Sequence, residues 1–92
     1  MPVKVKCSHI LVEKQSEAIE ILERIKKGDK FGKLAKELST DKGSGKKDGS
    51  LGYFTKGMMV KPFEDAAFKL NIGEISEPVK SEFGYHIIKR LG

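Results

Sequence analysis

Apolar and polar residues alternate at the amino terminus, where Val3, Val5 and Cys7 are separated by Lys4 and Lys6, and His9-Ile10-Leu11-Val12 continues the run. A period of two predicts a strand over Val3–Val12. Strict alternation puts His9 on the face of Val3, Val5 and Cys7, looking inward, where an imidazole needs a hydrogen-bond partner. From Gln15 the period changes. Ala18, Ile21, Leu22 and Ile25 share one helical face, and Glu20–Arg24 and Glu23–Lys27 are favourable pairs four apart. Gly28 stops the helix, which is predicted over Gln15–Lys27. Asp29 is placed to cap a second, shorter helix with Phe31, Leu34, Ala35 and Leu38 inside. Lys30, Lys33 and Lys36 then run along its outer side.

The pattern next disappears. Ser39–Ser50, STDKGSGKKDGS, is too polar for a core and too long for a simple turn, so a mobile surface loop is expected, ending in a turn at Asp48-Gly49. Leu51–Phe54 reads as a short strand and Lys56-Gly57 as a turn. Pro62 suits the first position of a helix whose apolar face is Phe63, Ala66, Ala67 and Leu70. This leaves Met58, Met59 and Val60 on the connection. A flexible, polarisable methionine there suits the wall of a shallow pocket, or else plugs the core beneath the turn. Asn71-Ile72-Gly73 closes the helix, Glu77–Lys80 is extended with Pro78 favouring a sheet edge, and Phe83–Leu91 is a final strand. The order strand, two helices, loop, strand, helix, two strands predicts an α+β domain, its helices packed on a small, largely antiparallel sheet.

With 92 residues the chain is expected to form one domain over 1–92. The single Cys7 excludes an intramolecular disulfide and disfavours structural zinc. The segment MPVKVKCSHILV lacks the apolar run of a signal peptide or membrane span. The expectation is a soluble, cytoplasmic monomer. The net charge is +5, and residues 26–47 carry that whole excess, with eight lysines against three acids. Lys4 and Lys6 extend the basic face of Lys30, Lys33 and Lys36, and Lys47 belongs to the same segment. Such a face attracts an anionic membrane surface or nucleic acid, or it is merely a solvated surface. No aromatic residues interleave with the lysines as single-strand stacking requires, so lipid headgroups fit at least as well as nucleic acid.

Candidate chemistry is sparse. The two histidines, His9 and His86, lie on the first and last strands, which are often central neighbours in such a sheet. They read as a structural hydrogen-bonded pair, as a general base, or as metal ligands, although no Asp, Glu or Cys spacing completes a metal site. A nucleophilic triad is weaker, because Ser39, Ser44, Ser50 and Ser81 lack a nucleophile elbow and Cys7 reads as core. Asp41 is a turn residue or a mobile carboxylate facing a pocket. GSGKKDG lacks P-loop spacing and leads into a strand.

Four motifs in order, CSHILV at Cys7–Val12, LGYF at Leu51–Phe54, MVKPFEDAAF at Met59–Phe68 and FGYHIIK at Phe83–Lys89, together resemble the parvulin family of peptidyl-prolyl cis/trans isomerases over nearly the entire chain. The resemblance implies a βα3βαβ2 fold with a four-stranded sheet, and proline-containing polypeptides as substrates. It matches His9 and His86 to paired histidines beneath the active site, and Ser81 to a hydroxyl supporting them. Asp41 matches the acidic or cysteine position beside the substrate amide. Met59 and Phe63 match the proline-pocket walls, with Leu51 beside them, Val60 on a rim that is often polar, and Phe83 where some parvulins have serine. Phosphate-directed parvulins carry an arginine-rich insertion after the first strand. Here only Glu13, Lys14, Gln15 and Ser16 stand before the helix, which implies no phosphoserine or phosphothreonine preference. The loop from Asp41 to Leu51 looks slightly longer than in several relatives. Bond rotation makes and breaks no bond, so no metal or cofactor is expected.

Overall fold

The computed structural model of the chain describes residues 3–92; Met1 and Pro2, which enter the amino-terminal reading above, lie outside them. The elements run β1 (Lys4–Val12), α1 (Gln15–Lys26), α2 (Phe31–Leu38), α3 (Lys42–Gly45), β2 (Ser50–Thr55), α4 (Lys61–Lys69), β3 (Val79–Ser81) and β4 (Gly84–Arg90). The sheet order is β2-β1-β4-β3 and every neighbouring pair is antiparallel. The first and last strands are therefore the central pair, as their β-forming sequences favour.

Each face of the sheet buries its own cluster. Val5 and Cys7 of β1, Phe54 of β2 and Ile88 of β4 pack with Phe63, Ala67 and Leu70 beneath α4. The alternate positions Ile10, Val12 and Ile87 pack with Ala18, Ile21, Leu34 and Ala35 beneath α1 and α2. Helices cover both faces, so Cys7, Ser8, His9 and Ile10 are all buried and the alternation is one of direction, not of exposure. His9 points to the α4 side, as its parity with Val5 and Cys7 requires. Each large side chain among these, such as Ile10, Leu34 or Phe54, contributes about 2 kcal/mol by leaving water.

One irregularity aims a side chain. Cys7 pairs with Gly52 but Ser8 pairs with Ser50, leaving Leu51 as an extra residue in β2. Gly52 takes φ +71°, the left-handed conformation that glycine accommodates at such a bulge. Without the bulge Leu51 would share the direction of Tyr53; with it, Leu51 turns to the α4 side.

Three expectations are corrected. Ser39–Ser50 is not a mobile surface loop: it contains α3, and Ser39, Ser44 and Gly45 are buried. Its polar atoms are paid for by bonds to β1. Ser39 Oγ accepts the Leu11 N–H at 3.1 Å, Thr40 N–H donates to Leu11 O at 2.7 Å, and His9 N–H donates to Gly49 O at 2.8 Å. Gly49 lies so close to β1 that a Cβ there would sit 2.5 Å from His9 O. The third helix implied by the parvulin resemblance is present. Second, Asp29 caps nothing; its carboxylate accepts Arg24 Nε–H at 2.9 Å, and Lys30 precedes α2 without a side-chain cap. The ion pair formed by Arg24 is thus with Asp29 and not the expected one with Glu20. Third, Pro62 is the second residue of α4, after Lys61.

Candidate active site

The α4 side of the central strand pair holds a line of polar groups inside an apolar surround. His9 is paired with Ile88 and His86 with Leu11, so the histidines are diagonal neighbours across β1 and β4. Their Nδ1 atoms meet at 3.0 Å. His9 Nε2 lies 2.8 Å from Asp41 Oδ2 and 3.1 Å from Ser44 Oγ. His86 Nε2 lies 2.6 Å from Ser81 Oγ, and that oxygen accepts the Phe83 N–H at 3.2 Å.

Donor and acceptor roles follow from one fixed point. An ionised carboxylate only accepts, so His9 carries its proton on Nε2 and donates to Asp41. Neutral His9 then offers a bare Nδ1, to which His86 donates from its own Nδ1–H. His86 Nε2 is left as an acceptor for the Ser81 hydroxyl. Ser44 Oγ–H donates to the same Asp41 oxygen at 2.8 Å, and the Ser44 N–H reaches Oδ1 at 3.4 Å. The chain of bonds therefore has a single direction from the Phe83 amide to Asp41, and both imidazoles are neutral. No buried side-chain nitrogen or oxygen is left unpartnered among the described residues.

The protonation equilibria agree with that arrangement. Burial pushes His86 down from the ordinary 6.5 to about 4, and the neighbouring His9 pushes the same way against a smaller opposing pull from Asp41. Burial also lowers His9, outweighing the hydrogen bond and charge of Asp41 that act to raise it. Partial burial resists ionisation of Asp41, but the bonds from His9 and Ser44 together prevail and hold it below the usual carboxylate value. Burial drives the Cys7 thiol up to about 11, partly opposed by Arg90, so it is no nucleophile at neutral pH. The described residues contain no group of three His, Cys, Asp or Glu side chains placed to hold a metal ion.

Over this line opens a cleft of about 490 Å³, walled by Leu11, Leu51, Met58, Met59, Val60, Phe63 and Phe83, with His9, His86 and Asp41 reaching its floor. Phe63 stands edge-on to both imidazoles, its ring centre 5.5 Å from His9 and 5.2 Å from His86 at interplanar angles of 81° and 80°. The ring belongs equally to the core, at 2% exposure. Met58 and Phe83 form the lips, at 65% and 60% exposure. Asp41 is the sole formally charged side chain on the lining. Such a site grips a small apolar ring and offers one negative charge beside it. It provides no nucleophile and no cation.

The structure brings His9, Asp41, His86, Ser81, Leu51, Met59, Val60, Phe63 and Phe83 together in this one place. Leu11, Met58 and Ser44 join them without having been singled out as site residues. Leu11 shares the parity of His9, two residues on, so alternation alone carried that signal; Ser44 sat in a segment whose polarity pointed to solvent. The basic residues are elsewhere. Lys4 and Lys6 stand over the Tyr53 ring at 5.4 and 5.9 Å on the sheet face opposite the cleft. Lys30 just before α2, Lys33 and Lys36 on it, and Lys47 after α3 are exposed, with Lys36 paired to Asp48 at 3.3 Å.

The family model described as the PPIC-type PPIASE domain matches residues 1–91. The foldase protein PrsA of Exiguobacterium sibiricum is 59% identical over 88 residues, which are 95% of this chain and 29% of that protein. The chain spans about 30% of the length of such curated relatives. Among solved structures, NmPin, the parvuline of Nitrosopumilus maritimus, superposes at TM-score 0.88 with 79% identity, over 97% of this chain and 96% of that one. The peptidylprolyl isomerase PrsA from Bacillus anthracis superposes at TM-score 0.97 with 50% identity, over 99% of this chain and 42% of that one. A four-stranded antiparallel sheet in this order, a neutral histidine pair under an apolar slot, and a family model matching residues 1–91 have one explanation: the chain belongs to the PPIC-type, or parvulin, family of peptidyl-prolyl cis/trans isomerases.

Proposed function

We propose that the chain rotates X–Pro bonds in unfolded or exposed polypeptide segments, assisting folding, and needs no phosphate on the residue before proline. The observation that carries this reading is the apolar slot of Leu51, Met59 and Phe63 standing over the neutral His9–His86 pair. The barrier to rotation, about 18–20 kcal/mol, is amide resonance, so the task is to bind the twisted amide better than either planar isomer. The planar amide owes its resonance to charge separation, with negative charge on oxygen. An apolar slot that strips water from it, and the Asp41 carboxylate beside the carbonyl, both disfavour that separated form. Phe63 and Met59 hold the ring while the acyl side turns. The histidine pair keeps the floor in shape, and its directional bonds hold Asp41 at one end of the floor and the Phe83 turn at the other.

A phosphate adds about −1.5 to −2 charges. No lysine or arginine lines the cleft and its one charge is negative, so a phosphate before proline is neither needed nor favoured. A panel of X–Pro peptides with serine, phosphoserine, leucine and glutamate before proline, read by exchange NMR, tests this. Acceleration of the leucine and serine peptides with little for phosphoserine is expected; preference for phosphoserine would refute it.

A second reading, compatible with the first, is that the lysine face docks on an anionic lipid surface. Lys30 and Lys33 are exposed at the start of α2, on the sheet side opposite the cleft, so docking there leaves the slot open to substrate. Co-sedimentation with phosphatidylserine vesicles that weakens with salt supports it, and salt-insensitive or absent binding counts against it. On this reading the domain works as a monomer in the cytoplasm.

A further inference from the structure

The connection between β2 and α4 carries much of the slot's wall, yet it has little core of its own. Met58 is exposed, Met59 and Val60 are half-buried, and the turn is tied to the end of β2 by a long bond, Met58 N–H to Thr55 O at 3.3 Å, and by the weak acceptor Met58 Sδ, 3.4 Å from the Thr55 nitrogen. One residue holds both ends of the segment. The Glu64 N–H donates to Val60 O at 3.0 Å, and Glu64 Oε1 accepts the Gly57 N–H at 2.6 Å. Gly57 sits at φ +94°, a conformation that side-chain-bearing residues rarely adopt. Met58 and Met59 lie between the two anchored ends.

Glu64 itself does not line the cleft. Its side chain is only 10% exposed, beside the core residues Phe63 and Ala67, and Lys61 Nζ approaches it no closer than 3.9 Å. A carboxylate is a poor choice for that position on packing grounds, since its burial is costly unless it makes a specific bond. The bond it makes is to the turn.

We propose that Glu64 is a positioning residue of the proline slot: its carboxylate clasps the Gly57 turn against α4 and so sets the distance of Met58 and Met59 from Phe63. This rests on the cleft being the proline slot.

The test uses the full chain with Glu64→Ala, Glu64→Gln and Gly57→Ala, measuring KM and kcat on a leucine–proline peptide and hydrogen exchange of the Gly57 amide. Glu64→Ala is expected to raise KM about tenfold, the worth of one charge-assisted hydrogen bond. Gly57 exchange should accelerate, and kcat should change much less. Glu64→Gln keeps an accepting oxygen and should stay within about twofold of the parent, a recovery that a purely charge-based role would not give. Gly57→Ala loosens the same turn from its other end, with no atom within 4 Å of the added Cβ. It should raise KM in the same way even if Glu64→Ala fails to fold. Unchanged KM in Gly57→Ala, or a Gln variant as weak as the Ala variant, overturns the clasp. A parent chain that turns over no peptide overturns instead the slot reading on which it rests.

Discussion

Lowering the pH should unfold this domain through its histidine pair before its surface carboxylates matter. Protonating His9 sets hydrogens on both facing Nδ1 atoms, which are 3.0 Å apart and share one proton, and protonating His86 sets a hydrogen on the Nε2 that accepts from Ser81 Oγ at 2.6 Å. The folded state therefore binds these protons reluctantly, and the His86 midpoint lies at about 4 against an ordinary 6.5. A histidine depressed in the native state contributes stability that is complete above the unfolded value and is lost as pH falls towards the folded one. Across that interval His86 alone accounts for about 3 kcal/mol, at 1.36 kcal/mol per pH unit. Between pH 6.5 and 5, above the range of ordinary carboxylates, the loss is about 2 kcal/mol from His86, and His9, also lowered, adds to it. A domain of this size has a total stability of about 5–14 kcal/mol, so the loss is a large part of the whole. Urea unfolding at half-unit steps from pH 7.5 to 4.5 measures it, with imidazole NMR to assign the protons. A stability flat from pH 7 to 5, or a native His86 midpoint at or above 6.5, would refute the neutral-pair account.

Further substitutions separate the parts of the site. Asp41→Asn removes the charge that fixes the His9 tautomer while keeping the shape; kcat/KM should fall about tenfold, as for loss of one charge-assisted bond. His9 should titrate lower still because the group that raises it is gone, and a raised His9 midpoint would contradict this. Ser81→Ala strips His86 Nε2 of its donor in a buried setting and should cost about 1–3 kcal/mol in urea unfolding; a negligible cost would mean that water replaces the hydroxyl. Phe63→Ala empties a core position as well as the slot, at about 3–5 kcal/mol. Phe63→Leu, with a core cost nearer 1 kcal/mol, is the cleaner probe: activity should still fall sharply, and retained activity would remove Phe63 from the mechanism.

The parts legible in the sequence are those whose local pattern agrees with the tertiary structure. β1 alternates, α1 and α2 carry apolar stripes, although Leu38, expected on the inner face of α2, is exposed at the end of the helix, and the inward direction of His9 follows from parity with Val5 and Cys7. The Ser39–Ser50 segment was opaque for the opposite reason. Four residues, Lys42–Gly45, make barely one helical turn, which has no intrinsic stability. It forms because Ser39, Ser44 and Gly49 each bond to β1 or to Asp41, contacts with no periodicity. Polar residues buried by mutual hydrogen bonding look, in one dimension, like residues exposed to water. Leu51 is reached through the family resemblance and not through its pattern, since the bulge that turns it into the cleft is a property of pairing. Glu64 carries no signal in the helical pattern, because its partner is a backbone amide seven residues earlier.

The central claim is that the slot of Met59 and Phe63 over the histidine pair turns X–Pro bonds. The most direct measurement is two-dimensional exchange NMR on an unphosphorylated leucine–proline peptide with a catalytic amount of the chain, run in parallel with Met59→Ala. Uncatalysed exchange takes tens of seconds or longer, so cis–trans cross-peaks within a sub-second mixing time report catalysis alone. The account predicts cross-peaks with the parent chain and their marked loss with Met59→Ala, whose fold is checked in the same sample. No cross-peaks with the parent, or equal ones with both proteins, would contradict it.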